Sequence, residues 1–380
     1  MIDNFDLKQL VDPLQSWFMQ NARILPWREN PTAYYVWVSE IMLQQTRVEA
    51  VKPYFDRFIR ELPDVKSLAE CPEDKLLKLW EGLGYYNRVR NLKIAANQIM
   101  DEYNGEIPSE YAELLKLKGI GHYTAGAIAS IAYGKAVPAV DGNVLRVISR
   151  VTADDSDIMK QSVKNHMGNS LFQLMNDFQE GAVVVPSVFN QALMELGATV
   201  CLPNGAPRCE TCPWGESCEA RKQNRISELP VKKKAKKRRI EERTVFIIKD
   251  GEQLALHKRK NTGLLAGLYE LPNVEGYLTE EEVVDFVKKQ GYEPIRIQSA
   301  CDAKHIFSHV EWHMKGYVVF LQAKEYLASV QSEKNEQEWI FVNVEETKEN
   351  YAIPSAFVKY TEYLNLVIGK EAIEKNKEVE

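Results

Sequence analysis

A chain of 380 residues, 45% hydrophobic and 27% charged, is too long for one ordinary domain and can fill two or three cores. Its formal charge of −6 is unevenly spread, with 17 Lys and Arg against 25 Asp and Glu in residues 241–380 and 31 against 29 in residues 1–240. Bulk charge therefore excludes no class of partner, and a local patch must carry any nucleic acid. No stretch is apolar and long enough to span a bilayer, and MIDNFDLKQL does not read as a signal peptide, so the expectation is a cytosolic chain with no membrane partner.

Phe5, Leu10, Leu14, Trp17 and Phe18 recur at helical spacing and predict a helix within residues 5–20. Leu25–Asn30 (LPWREN) reads as a loop whose Pro26, Trp27 and Arg28 offer an aromatic face and a fixed cation. Tyr34–Leu43 is apolar nearly all round and predicts a buried helix, with Glu40 inside it. A carboxylate there must be paired or protonated. Two readings stay open: a core glutamate satisfied by an arginine, or an acid whose pKa is raised by burial so that it can donate a proton. Trp80–Ala96 opens with a glycine-bounded turn carrying Leu83, Tyr85 and Tyr86, then continues as a helix with Arg88, Arg90 and Lys93. Such tips beside arginines suit insertion into a base stack, and equally suit a core aromatic pair at a helix start.

From Leu114 to Asp141 the pattern predicts helix, glycine turn, helix and a loop ending on a carboxylate. Gly119-Ile120-Gly121 supplies two positions where a left-handed or crowded backbone meets no Cβ penalty. The Ala-rich run Tyr123–Tyr133 is the second helix, with Gly126 allowing close packing and Gly134 and Pro138 stopping it. The N–H groups of the turn form an anion site suited to phosphate, unless the turn is only a tight helix–helix connection. Helical patterning resumes at Val144–Val151 and Ser187–Val200, so residues 1–225 read as all-α.

Four of the six cysteines, Cys201, Cys209, Cys212 and Cys218, are spaced C-x7-C-x2-C-x5-C. In a cytosolic chain this clustering favours metal over disulfides. Zinc ribbons usually bring two separated C-x2-C pairs; the one pair here favours an iron–sulfur cluster. Arg208, Arg221, Lys222 and Arg225 add positive charge beside the loop, while Cys71 and Cys301 read as core residues. The basic run Val231–Arg239 lies in a linker, residues 226–242, that can also touch phosphates. Strand patterning follows: a hairpin turning at Asp250-Gly251, runs at Pro294–Ile297, Lys315–Gln322 and Trp339–Val344, and a Thr279/Glu282 capping box for a helix through Lys289. Residues 243–365 thus predict an α+β domain, with 366–380 a tail outside it. Phe307-Ser308-His309, on chemistry alone, reads as ordinary loop.

The segments SEIMLQQTRV, GLGYYNRVRNL, GIGHYTAGAI, VDGNV, FNQALMELGA, the cysteine loop and the Phe307-Ser308-His309 segment occur in an order that resembles the MutY-type adenine DNA glycosylases, over roughly residues 5–365. The resemblance implies an all-α helix-hairpin-helix glycosylase domain with a [4Fe–4S] cluster on the four clustered cysteines, followed by a Nudix (MutT)-like α+β domain. It implies a monomer that acts at the DNA, removing adenine mispaired with 8-oxoguanine or guanine from the double strand. Glu40 would protonate the adenine at N7, Asp141 would stabilise the oxocarbenium charge, and Tyr123 and Asn143 would orient the two carboxyls. Arg28 and Gln191 would line the adenine pocket. Gln45, Thr46, Leu83 and Tyr85 would fill or flank the gap, Gly119 and Gly121 would meet phosphate, and Ser308 would report the oxidised base.

Two departures from the family pattern are visible: Lys118 stands where many members carry proline, and seven residues, not six, separate Cys201 from Cys209. Tyr123 occupies the hairpin position where strand-cutting relatives carry a lysine. A phenol forms no imine, so the expectation is base excision without strand cleavage. GLLAGLYELP is similar to the Nudix-like domain, yet TEEEVVDFVKK lacks the arginine and glutamate spacing of REUxEExGU, which implies a reader and not a hydrolase. Competing readings are a thymine or uracil mismatch glycosylase of the same superfamily, a non-catalytic DNA-damage-binding protein, and a nucleotide hydrolase using the second domain.

Overall fold

In chain order the computed structural model describes residue 2 and residues 5–177, 184–232, 238–322 and 338–364. Contacts divide it into two units, residues 1–70 with 90–235, and residues 71–89 with 236–380. The helices are α1 (Val11–Asn21), α2 (Pro26–Glu29), α3 (Ala33–Leu43), α4 (Val48–Glu61), α5 (Val65–Glu70), α6 (Glu73–Leu79), α7 (Asn87–Glu102), α8 (Tyr111–Leu114), α9 (His122–Ala127), α10 (Gly142–Val151), α11 (Gln161–Asn176), α12 (Pro186–Thr199) and α13 (Glu219–Lys222).

The first unit is helical, as its patterning predicts. Apolar residues of α1, α10, α11 and α12, among them Leu14, Val147, Leu171 and Leu193, form one core. Thr32 caps α3 by accepting a hydrogen bond from the Tyr35 N–H, and residues 36–42 are buried all round. The expected loop at Leu25–Asn30 is instead a turn of helix, because Pro26 at its first position presets φ and gives up no needed N–H. Trp27 is buried edge-on against Phe55, 5.3 Å between centroids, so it offers no free aromatic face.

The hairpin also differs in detail. Gly119 takes φ +80°, and a Cβ on it would sit 2.7 Å from Asn91 Cβ. Gly121, at φ −97°, has no atom within 4 Å of that position, so backbone conformation does not demand glycine there. α9 continues as a π-helix, Ile128–Ala132, where the Ser130 hydroxyl donates to the Gly126 carbonyl. Gly126 is required by packing: a Cβ would lie 2.3 Å from the Pro138 carbonyl oxygen.

In the second unit, strands β1 (Arg239–Asp250), β2 (Gln253–Lys258), β3 (Tyr269–Glu270), β4 (Asn273–Glu275), β5 (Pro294–Ser299), β6 (Ala303–Ile306), β7 (Val310–Leu321) and β8 (Trp339–Asn343) build a mixed sheet in the order β3-β2-β1-β7-β5. β1 and β7 run parallel at its centre, β4 pairs with β1, β6 with β7, and β8 with β2. The run Val245–Ile248 is continuously apolar because both faces are covered. Val245 and Ile247 join Trp312, Phe357 and Tyr360, while Phe246 and Ile248 pack with Val283 and Val287 of α14 (Glu280–Lys289). The capping box of Thr279 and Glu282 is present. Residues 307–309 form the turn between β6 and β7, closed by Phe307 N–H to the Val310 carbonyl, so β7 begins five residues before the expected Lys315.

Residues 71–89, although helical, pack with this second unit. Lys78 Nζ pairs with Glu81 and donates to the carbonyls of Thr347 and Tyr351, and Glu81 accepts the Ile353 N–H. Cys71 is buried as expected, but Cys301 is partly exposed. Residues 233–237 of the basic linker and the expected tail, 366–380, lie outside the described residues. No helix among those described is long and apolar enough to cross a membrane.

Candidate active site

One cavity of the first unit is lined by both candidate carboxyls, Glu40 and Asp141, together with Tyr123, Asn143, Arg28, Thr46, Gln191, Arg23 and Glu195. Glu40 comes from the middle of α3, Tyr123 from α9, Asn143 from α10 and Gln191 from α12, four elements that chain order keeps far apart.

Glu40 is 6% exposed. Burial pushes its carboxyl up to about 7; the Asp141 charge adds to this, while the hydrogen bond from Tyr123 and the Arg28 charge oppose it. The Tyr123 hydroxyl donates to Glu40 Oε2, and burial holds that phenol well above its ordinary pKa, so it stays a donor. The arginine-paired alternative for Glu40 is not what the cavity contains: its hydrogen-bond partner is a phenol.

Asp141 is the N-cap of α10. Its Oδ1 accepts from the Asn143 N–H at 2.9 Å and the Val144 N–H at 2.8 Å, and its Oδ2 from Asn143 Nδ2 at 2.7 Å. Burial raises its pKa above the usual aspartate value, opposed by these donors. Three N–H groups and a helix N-terminus favour its charged form. Asn143 is itself held by Arg146, whose Nη2 donates to Asn143 Oδ1 at 2.9 Å. A buried glutamic acid near 7 and a half-buried aspartate held by three N–H donors, in one cavity, are an arrangement able to divide proton donation from charge stabilisation.

The other sequence candidates fall in several places. Gln45 is exposed at φ +61° and is not among the lining residues, whereas its neighbour Thr46 is. Leu83 and Tyr85 belong to the second unit. Tyr85 is 47% exposed at φ +48° with Arg88 over its ring, but Leu83 is buried and presents no free tip. Ser308 is exposed at its turn, with Oγ 3.3 Å from His309 Nδ1. No lysine lines the cavity among the described residues; Lys135 pairs with Glu110, and Lys118 is exposed. Sequence reasoning missed Arg23 and Glu195. The available signal was a second carboxylate inside an apolar helix, in the same FNQALMELGA segment that carries Gln191.

A second cavity is lined by all four clustered cysteines with Arg150 and Arg221. The seven-residue stretch after Cys201 loops outward and is closed by the Arg208 N–H on the Val200 carbonyl at 3.0 Å, which returns Cys209 beside Cys201. Arg150 Nη1 donates to Cys201 Sγ at 3.3 Å. Burial raises the Cys209 and Cys218 thiols and pushes Cys212 up to about 12. Among the described residues no three His, Cys, Asp or Glu side chains are grouped closely enough for a single metal ion. Four thiols around one apolar hollow with two guanidiniums suit a larger polynuclear group that binds as an anion.

Residues 38–171 match the model of the HhH-GPD superfamily base excision DNA repair proteins, and residues 244–363 match the NUDIX domain. The adenine DNA glycosylase of Mus musculus is 34% identical over 84% of this chain and 72% of its own length. That of Homo sapiens is 33% identical over 83% and 68%, and that of Buchnera aphidicola (subspecies Baizongia pistaciae) is 30% identical over 86% and 90%. With a helix-hairpin-helix domain, a Nudix-like domain and identity of this extent running through both, the chain belongs to the adenine DNA glycosylases.

Proposed function

We propose that this enzyme excises adenine paired with 8-oxoguanine or guanine in duplex DNA, by hydrolysis of the N-glycosidic bond and without cutting the strand. The observation that carries the reading is the shared cavity of Glu40 and Asp141, with the Glu40 carboxyl near 7 and the Tyr123 phenol bonded to it. The adenine leaves the stack at a cost of a few kcal/mol and enters this cavity. Adenine is a poor leaving group until protonated. Glu40 gives its proton to N7 as the C1′–N9 bond breaks, and the Asp141 carboxylate faces the positive charge that develops on the sugar. Water then adds to the sugar carbon and returns a proton, leaving an abasic site. Among the described residues no lysine lines the cavity to form a Schiff base, which supports the monofunctional course. The Nudix-like domain supports recognition of the opposite base, with Ser308 at an exposed turn tip as the reading residue.

Cys201, Cys209, Cys212 and Cys218 would hold a [4Fe–4S] cluster. When bound, it supplies structure and electrostatics to a basic loop; the excision chemistry itself uses the cavity side chains.

Glu40→Gln tests the reading. Single-turnover release of adenine should fall at least ~10³-fold, within the range of general-acid effects, with duplex binding retained. Because protonated Glu40 is the active form, the wild-type rate should be maximal below about pH 7 and fall about tenfold per pH unit above it. Efficient borohydride trapping of the wild-type enzyme on DNA would overturn the monofunctional course.

A further inference from the structure

Glu195 is 1% exposed, yet it lines the acid cavity. Its Oε1 accepts from the Arg23 N–H at 3.3 Å and Arg23 Nε at 2.5 Å, and its Oε2 from Arg23 Nη2 at 3.0 Å and Arg28 Nη2 at 2.8 Å. A carboxylate has about four lone-pair sites, and all are taken, so Glu195 is not free to touch a base. Arg28 in turn donates Nη1 to the Arg23 carbonyl at 3.2 Å and lies over the Phe18 ring at 5.3 Å. A guanidinium held on two sides keeps its remaining N–H groups for a ligand in the cavity. We propose that Glu195 is a positioning residue for adenine excision: by gripping Arg28 and Arg23 it aims the Arg28 guanidinium into the adenine pocket and cancels the cationic field that would otherwise fall on Glu40. The proposal rests on the reading of Glu40 as the proton donor.

The charges around Glu40 make the consequence specific. Tyr123 faces it from α9, Asp141 from the start of α10 and Arg28 from α2, and Arg28 already pulls the Glu40 carboxyl down. Glu195, on α12, acts through Arg28. Two arginines and one glutamate leave one net positive charge at this wall; neutralising the glutamate leaves two. An unpaired, less tightly held Arg28 would favour ionised Glu40 and so remove the proton needed by the base.

Single-turnover excision measured from about pH 5 to about pH 9 tests this, because the position of the alkaline limb reports the acid and not the folded fraction. In Glu195→Gln the limb should move about one pH unit lower, about tenfold slower at a fixed pH above it. Arg28→Gln, which removes the cation instead, should move the limb upward. Glu195→Asp, which keeps the charge, should restore the wild-type limb. An unmoved limb in Glu195→Gln, or movement of both Gln variants in one direction, overturns the proposal. If Glu195→Gln does not fold, the Arg28→Gln limb decides alone, and an unmoved limb again overturns it. Glu40→Gln run in parallel separates the two ideas. An active Glu40→Gln sinks the proton-donor reading, whereas an inactive one with an unmoved Glu195→Gln limb sinks only the role given to Glu195.

Discussion

Two cavities of the helical unit hold ionisable groups with different results. Around Glu40 and Asp141, burial meets specific partners: a phenol for one carboxyl, three N–H donors for the other, and a glutamate bridging the nearby arginines. The outcome is one acid raised to about 7 and one carboxyl held by three N–H donors. Around the four cysteines, burial raises three of the thiols by more than the nearby backbone N–H groups and the Arg150 and Arg221 guanidiniums lower them, so the loop alone favours neutral sulfur. The first cavity sets carboxyls against a phenol and N–H donors, while the second sets four thiols beside the guanidiniums of Arg150 and Arg221. Desolvation alone does not make a reactive site; the donors aimed at the buried charge do.

Three substitutions sharpen or break that contrast. Asp141→Asn keeps the size of the cap but removes the anion, and single-turnover excision should drop about 10²- to 10³-fold with little loss of duplex affinity. A rate within about twofold of wild type would reduce Asp141 to a helix cap. Cys212→Ser should remove most of the bound iron, read by chemical assay, and lower the melting temperature by several degrees, as expected for about 1–2 kcal/mol in a domain of this size. Full iron content in that variant would refute the four-cysteine ligand set. Ser308→Ala should change excision opposite guanine little and slow excision opposite 8-oxoguanine about three- to tenfold, the scale of one hydrogen bond. Equal effects on both pairs would return that turn to ordinary connecting structure.

Much of this was legible residue by residue. The buried helix at Tyr34–Leu43 and its one carboxylate follow from apolar patterning, and the paired strands 244–258 follow from strand-forming apolar runs broken at Asp250-Gly251. The meeting of Glu40 with Asp141 follows from the order of motifs and not from local pattern, since about a hundred residues separate them. Glu195 and Arg23 escaped because periodicity marks a position as buried without saying what a buried charge will meet. β3 and β4, two and three residues long, carry too little alternation to detect. The packing of residues 71–89 with 344–353 escaped for a similar reason: it depends on Lys78 and Glu81 meeting backbone groups far along the chain.

The clasp of Arg208 on Val200 has a consequence for how this loop can vary. What brings the second sulfur back to the first is where the strand of chain re-enters, not how many residues it spends outside. Lengthening the excursion at exposed Asn204 or Gly205 should therefore leave the thiol cage unchanged, whereas a proline at 208 would unfasten it without touching a cysteine. The ruler for this motif is the backbone geometry at the loop's base, where the Val200 carbonyl accepts from the Leu202 and Arg208 N–H groups, and not the number of residues between the cysteines.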